Sequence, residues 1–284
     1  VNEQALKARI KFLADSTNRT FNEVWHHLIL ERFLVRVAIS EYADNFIFKG
    51  GLLLGRYIEI GRETKDVDFL ARMLDVEQKN IEKSISEIAA VTTSDKFEFT
   101  FFNIQKLDQP HMNYPGFRVK LDVKFGKLQD KIQIDIGVGD VVSPENKSFE
   151  LYHYKGQPIF ENSVLLKVYP VETIFAEKFE TILAKGSANS RMKDFHDLFL
   201  LCRQSSLIDR EKLKENLEAT FKNRGTVPVN AVKFSAADIV NIQKLWNAHV
   251  RGLGEIAAAL QIPGDFAEVV SEINEWFHLS KNEA

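Results

Sequence analysis

The sequence predicts an α+β fold, a mixed β-sheet core flanked by an N-terminal helical segment and a C-terminal helical half. Three observations carry this expectation. Apolar residues recur at spacings of three and four in the first 45 residues, alternating strand-like segments dominate residues 46–170, and helical spacing returns from Val171 onward. The expected divisions are therefore 1–45, 46–170 and 171–284.

Phe21, Val24, Trp25, Leu28 and Ile29 form an apolar helical stripe that Phe33, Leu34 and Val37 extend. Thr20 or Asn22 is the expected cap, and Glu23 completes a capping box with Thr20. Phe46–Phe48 is a short apolar run ending in Lys49-Gly50-Gly51, and Leu52–Ile58 reads as helix. Asp66–Leu70 is the next strand, followed by a helix over Val76–Val91. Strands are expected at Phe97–Ile104, Phe117–Phe125, Lys131–Val138 and Leu165–Tyr169. Helices follow at about 171–184, 191–203, 210–222, 235–249 and 265–278, punctuated by Gly186, Gly225 and the Gly252/Gly254 pair.

The chain has 284 residues, 45% hydrophobic and 27% charged, enough for one large or two medium units with a full core. A net charge of −3 gives no overall attraction for nucleic acid, so a polyanion must meet a local basic surface. The lone cysteine, Cys202, excludes an internal disulfide framework and a cysteine-based zinc cluster. The seven histidines, His111 among them, show no metal-ligand spacing. No Ser-His-Asp set or P-loop is present, and Gly252-Leu253-Gly254 lacks the third glycine of a dinucleotide fingerprint. There is no secretory signal pattern and no apolar run near 18 residues, so a soluble cytoplasmic protein with no membrane partner is expected.

The chemistry centres on Lys49-Gly50-Gly51 and, after a spacer of fourteen residues, Asp66-Val67-Asp68. Strand alternation puts Asp66 and Asp68 on one face, about 7 Å apart at a rise of ~3.3 Å per residue. Two unpaired carboxylates repel, and a divalent cation with oxygen preference resolves the conflict. The competing reading is a solvated strand end. Gly50-Gly51 at a strand-to-helix turn lets backbone N–H groups approach a phosphate. Asp135 alternates with isoleucines in Lys131–Val138 and is a third candidate ligand, or a strand-end acid facing water. Asp140, beyond Gly139, reads as part of a turn. Lys178 falls on the apolar face of its helix and serves either phosphates or a structural carboxylate. Arg191, Asp194 and Asp197 step round one helix flank; the two acids repel, which makes Lys178 a candidate partner. Arg118, Lys120, Lys124, Lys127 and Lys131, with Phe117 and Phe125 between them, form a candidate nucleic-acid surface or a solvated sheet face. Thr64 precedes Asp66 by two residues and is a candidate phosphorylation point.

Phe48-Lys49-Gly50-Gly51 with Thr64-Lys65-Asp66-Val67-Asp68-Phe69 resembles the nucleotidyl transferase AbiEii/AbiGii toxin family. So do Ala176-Glu177-Lys178, Arg191–Leu198 and Glu31–Arg36, a resemblance covering about residues 1–203. It implies a DNA polymerase β-like nucleotidyltransferase core and a toxin of type IV toxin–antitoxin pairs. Such toxins are linked to abortive phage infection, and some members transfer nucleotides to tRNA. Carried over, Asp66 and Asp68 bind metal, Lys178 contacts triphosphate and Asp194 completes the catalytic set. The wider superfamily has Gly-Ser where this chain has Gly50-Gly51, which shifts reliance to backbone N–H groups.

The expected function is a metal-dependent, NTP-using transferase that moves a nucleoside monophosphate to an RNA (tRNA-like) acceptor. Asp66, Asp68, Lys178 and Asp194 are the candidate catalytic residues. Lys49, Gly50, Gly51, Lys178 and Arg191 bind nucleotide, and Asp66, Asp68 and Asp135 bind magnesium or manganese. A cognate antitoxin encoded nearby is the expected partner, without the need for a stable complex. The alternatives are a protein-AMPylating transferase and a non-catalytic nucleotide- or partner-binding domain.

Overall fold

The computed structural model describes residues 1–107, 116–229 and 231–282. The chain divides into two compact units: Val1–Leu53 with Thr64–Asp140 and Pro144–Tyr169, and Leu54–Glu63 with Val141–Ser143 and Pro170–Ala284.

The first unit begins with two helices, α1 (Glu3–Thr17) and α2 (Phe21–Ile39). Asn18 ends α1 in the left-handed region, φ 52°, a conformation that asparagine tolerates better than most residues. Thr20 then starts α2 with the expected capping box to Glu23. After β1 (Phe46–Lys49) come α3 (Gly50–Tyr57), which runs across the boundary between units, β2 (Asp66–Ala71) and α4 (Gln78–Ala89). The strands β3 (Glu98–Leu107), β4 (Gly116–Phe125) and β5 (Leu128–Val138) follow as a meander. Next are β6 (Glu145–Glu150), the short pair β7 (His153–Tyr154) and β8 (Gln157–Pro158), and β9 (Ser163–Val168).

Seven strands form one mixed sheet in the order β3-β4-β5-β2-β1-β9-β6. The β2–β5 and β1–β9 pairs are parallel and the other neighbours antiparallel. The α+β class with a mixed sheet is thus observed. Sequence patterning missed β6 because it is an edge strand, Glu-Asn-Lys-Ser-Phe-Glu, in which only Phe149 is buried.

One face of the sheet is a dry aromatic core. Phe69 of β2 meets Phe46 and Phe48 of β1 at 5.9 and 6.0 Å and Phe33 of α2 at 6.4 Å between ring centroids. A buried ion cluster also ties α2 to the approach to β3. Asp95 accepts from Arg32 Nε and from both terminal nitrogens of Arg36, each at 2.9 Å. Arg36 also donates to the Phe97 carbonyl oxygen at 2.8 Å and lies over the Phe99 ring. Burial pushes the Asp95 carboxyl up, but the Arg36 hydrogen bonds and charge outweigh it and hold the group below the usual range.

The second unit contains α5 (Val171–Lys185), α6 (Met192–Arg203), α7 (Arg210–Arg224), α8 (Ala236–Leu253), the short α9 (Glu255–Ala259) and α10 (Phe266–Asn282). Phe179 stacks on Phe277 at 4.5 Å, and Phe195 meets Phe266 edge-on at 4.9 Å. Gly225 closes α7 in the left-handed region, φ 67°. Among the described residues no helix is long and apolar enough to cross a membrane.

Asp95→Ala removes the anion from the buried Arg36 guanidinium and leaves Arg32 with Glu161 alone. The expected loss is about 3–5 kcal/mol of stability, read as an earlier urea midpoint. An unchanged midpoint would show that water already reaches those arginines.

Candidate active site

The site in the first unit follows from the alternation of β2. Val67 and Phe69 are fully buried in the core, and Asp66 and Asp68 occupy the opposite, half-buried face. β5 runs parallel beside it, with Asp66 opposite Gln133 and Asp68 opposite Asp135. The three acids thereby share a face, and one oxygen from each lies within 4.8 Å of the others. At an effective dielectric constant of about 20, each such pair of full charges repels by roughly 3 kcal/mol. The neighbouring strands supply the compensation. Arg118 of β4 lies opposite Asp135 and donates to both its oxygens, at 2.8 and 2.6 Å. These hydrogen bonds, with Asp66 and Asp68 adding their charge, raise the Arg118 guanidinium above its ordinary value. On the other side Lys49 of β1 lies opposite Asp68. A row of four charged residues, Lys49, Asp68, Asp135 and Arg118, therefore crosses four adjacent strands. Lys49 has its own anion: its ammonium donates to Asp140 at 2.7 Å and to the Tyr169 hydroxyl at 3.1 Å, over the Tyr169 ring.

Gly50 is fitted to this row. Its φ of +79° is left-handed, and a Cβ built there falls 1.9 Å from Asp68 Oδ2. Only glycine leaves the Asp68 carboxylate its place against the strand-to-helix turn. Gly51 is the second residue of α3. Three hard carboxylate oxygens beside this turn form a donor set that a hard divalent cation would fit.

The second unit gathers a different group. Lys178 of α5 reaches Asp194 at 3.0 Å and Asp197 at 2.8 Å, both on α6. Arg62 holds the Asp197 oxygens at 2.9 and 2.6 Å, and Arg191 reaches Asp194 at 2.9 Å. Burial works against charge on Lys178, yet Asp197 and Asp194 outweigh it and raise the ammonium above its ordinary value. Burial likewise pushes Asp197 up, and the charges of Lys178 and Arg62 reverse this and hold it far below the usual range. His196 Nε2 donates to the Ile60 carbonyl oxygen at 2.8 Å, and burial lowers its proton affinity, which keeps it neutral at pH 7.

A family model for the nucleotidyl transferase AbiEii toxin of type IV toxin–antitoxin systems matches residues 32–270. The chain belongs to this family. No curated protein matches the sequence. A crystal structure from H. pylori, provisionally described as a nucleotidyltransferase, is similar in fold, with a TM-score of 0.50 and 14% identity. The similarity covers 93% of this chain and 96% of that one.

In this AbiEii-family chain the sheet unit brings together Asp66, Asp68 and Asp135, with Lys49 and Gly50 beside them. The helical unit brings together Lys178, Asp194 and Arg191. Asp140 does lie in a loop, but it also anchors Lys49, a role that sequence reading did not give it. Arg62 was missed altogether, because a loop arginine after Gly61 carries no periodic signal. The pairing of Arg118 with Asp135 was missed although a signal existed. Gly126-Lys127 is a two-residue connection between β4 and β5, and seven residues out on each strand Arg118 meets Asp135. One expectation is corrected: Phe117 and Phe125 alternate into the core and are buried, so they do not line a basic surface. The exposed aromatic on β3 is Phe102, at 53% exposure, with the Lys131 ammonium 3.8 Å from its ring centroid. Thr64 is buried, so a kinase would reach it only through a local opening. His111 lies outside the described residues.

Gly50→Ala is expected to cost about 1–3 kcal/mol from backbone strain and overpacking. In an Asp68→Gly background the cost falls toward the strain alone, so a double-mutant cycle on thermal melting reports a coupling. Additive changes would mean that Asp68 does not lie over Gly50.

The depressed Asp197 carboxyl gives a pH signature. Its contribution is complete above the unfolded value of about 3.9 and is lost as pH falls through the lower folded value. Wild type should therefore lose more melting temperature between pH 5 and pH 3 than Asp197→Asn, which starts from a lower stability. Parallel curves would remove Asp197 from the acid transition.

Proposed function

We propose that this AbiEii-family chain is a metal-dependent nucleotidyltransferase toxin of the cytoplasm that transfers a nucleoside monophosphate from an NTP to an RNA acceptor of the tRNA kind. The observation that carries the reading is the carboxylate set Asp66, Asp68 and Asp135, within 4.8 Å and fitted against Gly50. In the reaction an acceptor hydroxyl oxygen bonds to the α-phosphorus. The bond from that phosphorus to the leaving oxygen breaks, pyrophosphate departs and the hydroxyl proton passes to solvent. Magnesium or manganese at the carboxylates supplies charge stabilisation for this transfer. Asp66, Asp68 and Asp135 hold the cation, and the N-terminus of α3 at Gly50-Gly51 offers backbone N–H groups to phosphate. Lys49, fixed by Asp140 and Tyr169, contributes positive charge at one end of the row. In the proposal Lys178 serves the triphosphate, with Asp194 and Arg191 keeping it in position.

An RNA acceptor is favoured over a protein by the strands beside the acids. Arg118 and Lys120 of β4 and Lys131 and Gln133 of β5 share the face that bears Asp66 and Asp68, and Phe102 offers an exposed ring. Type IV membership implies an antitoxin, and we place its gene next to this one, where its product relieves the growth arrest of abortive infection.

The test is incubation of the chain with magnesium and each labelled NTP, with total RNA or total protein added. Label is expected in RNA with one preferred NTP. Asp66→Ala or Asp68→Ala should lower transfer by at least about a hundredfold while the melting curve stays cooperative. Label in protein would replace the RNA acceptor with a protein one, and equal labelling by Asp68→Ala would end the carboxylate assignment.

Lys178→Ala separates structure from ligand. Asp194 keeps Arg191 and Asp197 keeps Arg62, so neither acid is orphaned. The expected stability loss is therefore only about 1–2 kcal/mol, below the range for breaking an isolated buried pair, while NTP affinity collapses. Normal turnover per folded molecule would remove Lys178 from the nucleotide site.

A further inference from the structure

The acidic row carries its own cation. Arg118 takes both oxygens of Asp135 in a parallel fork, Nε at 2.8 Å and Nη2 at 2.6 Å. Asp135 is also one of the three acids whose oxygens converge within 4.8 Å. A guanidinium and a divalent cation drawn to one carboxylate repel each other, and magnesium binds oxygens only at short range, about 2.0–2.1 Å. The two claims on Asp135 are therefore in competition. The fork is open to exchange, since the Arg118 and Asp135 side chains are 35% and 20% exposed. Lys49, at the other end of the row, is in a different position, because Asp140 is its anion.

We propose that Arg118 is a resident counter-ion of the acidic cluster, which yields Asp135 to a divalent cation and then takes a phosphate oxygen of the bound triphosphate. This rests on the carboxylate reading of the active site. The free chain holds its acids together with Arg118, and the side chain leaves only for a cation of higher charge density. Once off Asp135, its planar fork is on the same sheet face and matches a phosphate in geometry as well as charge. Cation loading and triphosphate binding are then coupled through one residue. The cation alone must displace Arg118, whereas cation and triphosphate together give Arg118 a new partner.

The experiment measures manganese binding to the full chain by the loss of the free-ion electron paramagnetic resonance signal, with and without inorganic triphosphate. The variants are Arg118→Gln, Arg118→Lys and Asp66→Asn, each checked for a cooperative melt. Arg118→Gln should bind manganese about two- to fivefold more tightly than wild type without triphosphate, the scale of a partly exposed ion pair. It should also bind triphosphate in the presence of manganese several-fold more weakly. Arg118→Lys keeps the charge and should show little of the first effect. Manganese affinity in Arg118→Gln that is equal to or weaker than wild type, while Asp66→Asn loses the ion, overturns the counter-ion proposal and leaves the carboxylate site standing. If Asp66→Asn binds manganese as wild type does, the carboxylate site and the proposal both fall.

Discussion

Asp68 lies opposite Asp135 on one neighbouring strand and opposite Lys49 on the other, and this register depends on the reverse face of β2. Side chains alternate along a strand, so a slip of one residue would turn Phe69 and Val67 out of the core and both acids into it. Phe69 makes that slip costly, since it contacts aromatic rings from β1 and from α2. The dry face thus fixes where the charged face can be. Asp135 is then held by Arg118 of β4 and Asp68 lies opposite Lys49 of β1, so part of the repulsion among the three carboxylates is met across the sheet.

Gly50 joins the fold to the site in the same way. The chain leaves β1 one residue after the lysine of the charged row and must turn at once into α3. A left-handed glycine makes the turn and also clears the volume that the Asp68 carboxylate uses. The glycine that looked like a phosphate feature in the sequence therefore has a prior duty to its own strand neighbour. The space that the missing Cβ leaves at Gly50 is taken by that carboxylate, so a phosphate role falls to the backbone N–H groups that open α3.

How much of this was legible in the sequence differed by residue, for physical reasons. Asp66 and Asp68 could be placed on one face because a strand has a period of two, and Asp135 because isoleucines alternate around it. The pairing of β5 with β2 brings these acids together and is a long-range contact that no local pattern contains. Arg118 stood between these cases, since its partner follows from the Gly126-Lys127 turn by counting outward, provided the hairpin is recognised. Asp140 with Lys49 and Arg62 with Asp197 join loops to distant residues, and no periodicity reports them. The basic stripe with interleaved phenylalanines was legible as alternation but was given the wrong geometry, because the same alternation that puts Lys120 and Lys124 on the open face buries Phe117 and Phe125.

The ion cluster of the helical unit decides what removing Lys178 can reveal. Buried ion pairs are poor stabilisers, because the cost of desolvating both partners offsets most of their attraction. Here Asp194 is reached by Arg191 as well as Lys178, and Asp197 by Arg62 as well as Lys178. Arg191 is about half exposed, and water can share its charge. Lys178 is not: its side chain is 12% exposed and its helix neighbours are core residues such as Phe175 and Phe179. Removing the ammonium therefore orphans neither acid, which is what lets Lys178→Ala separate a nucleotide role from a structural one.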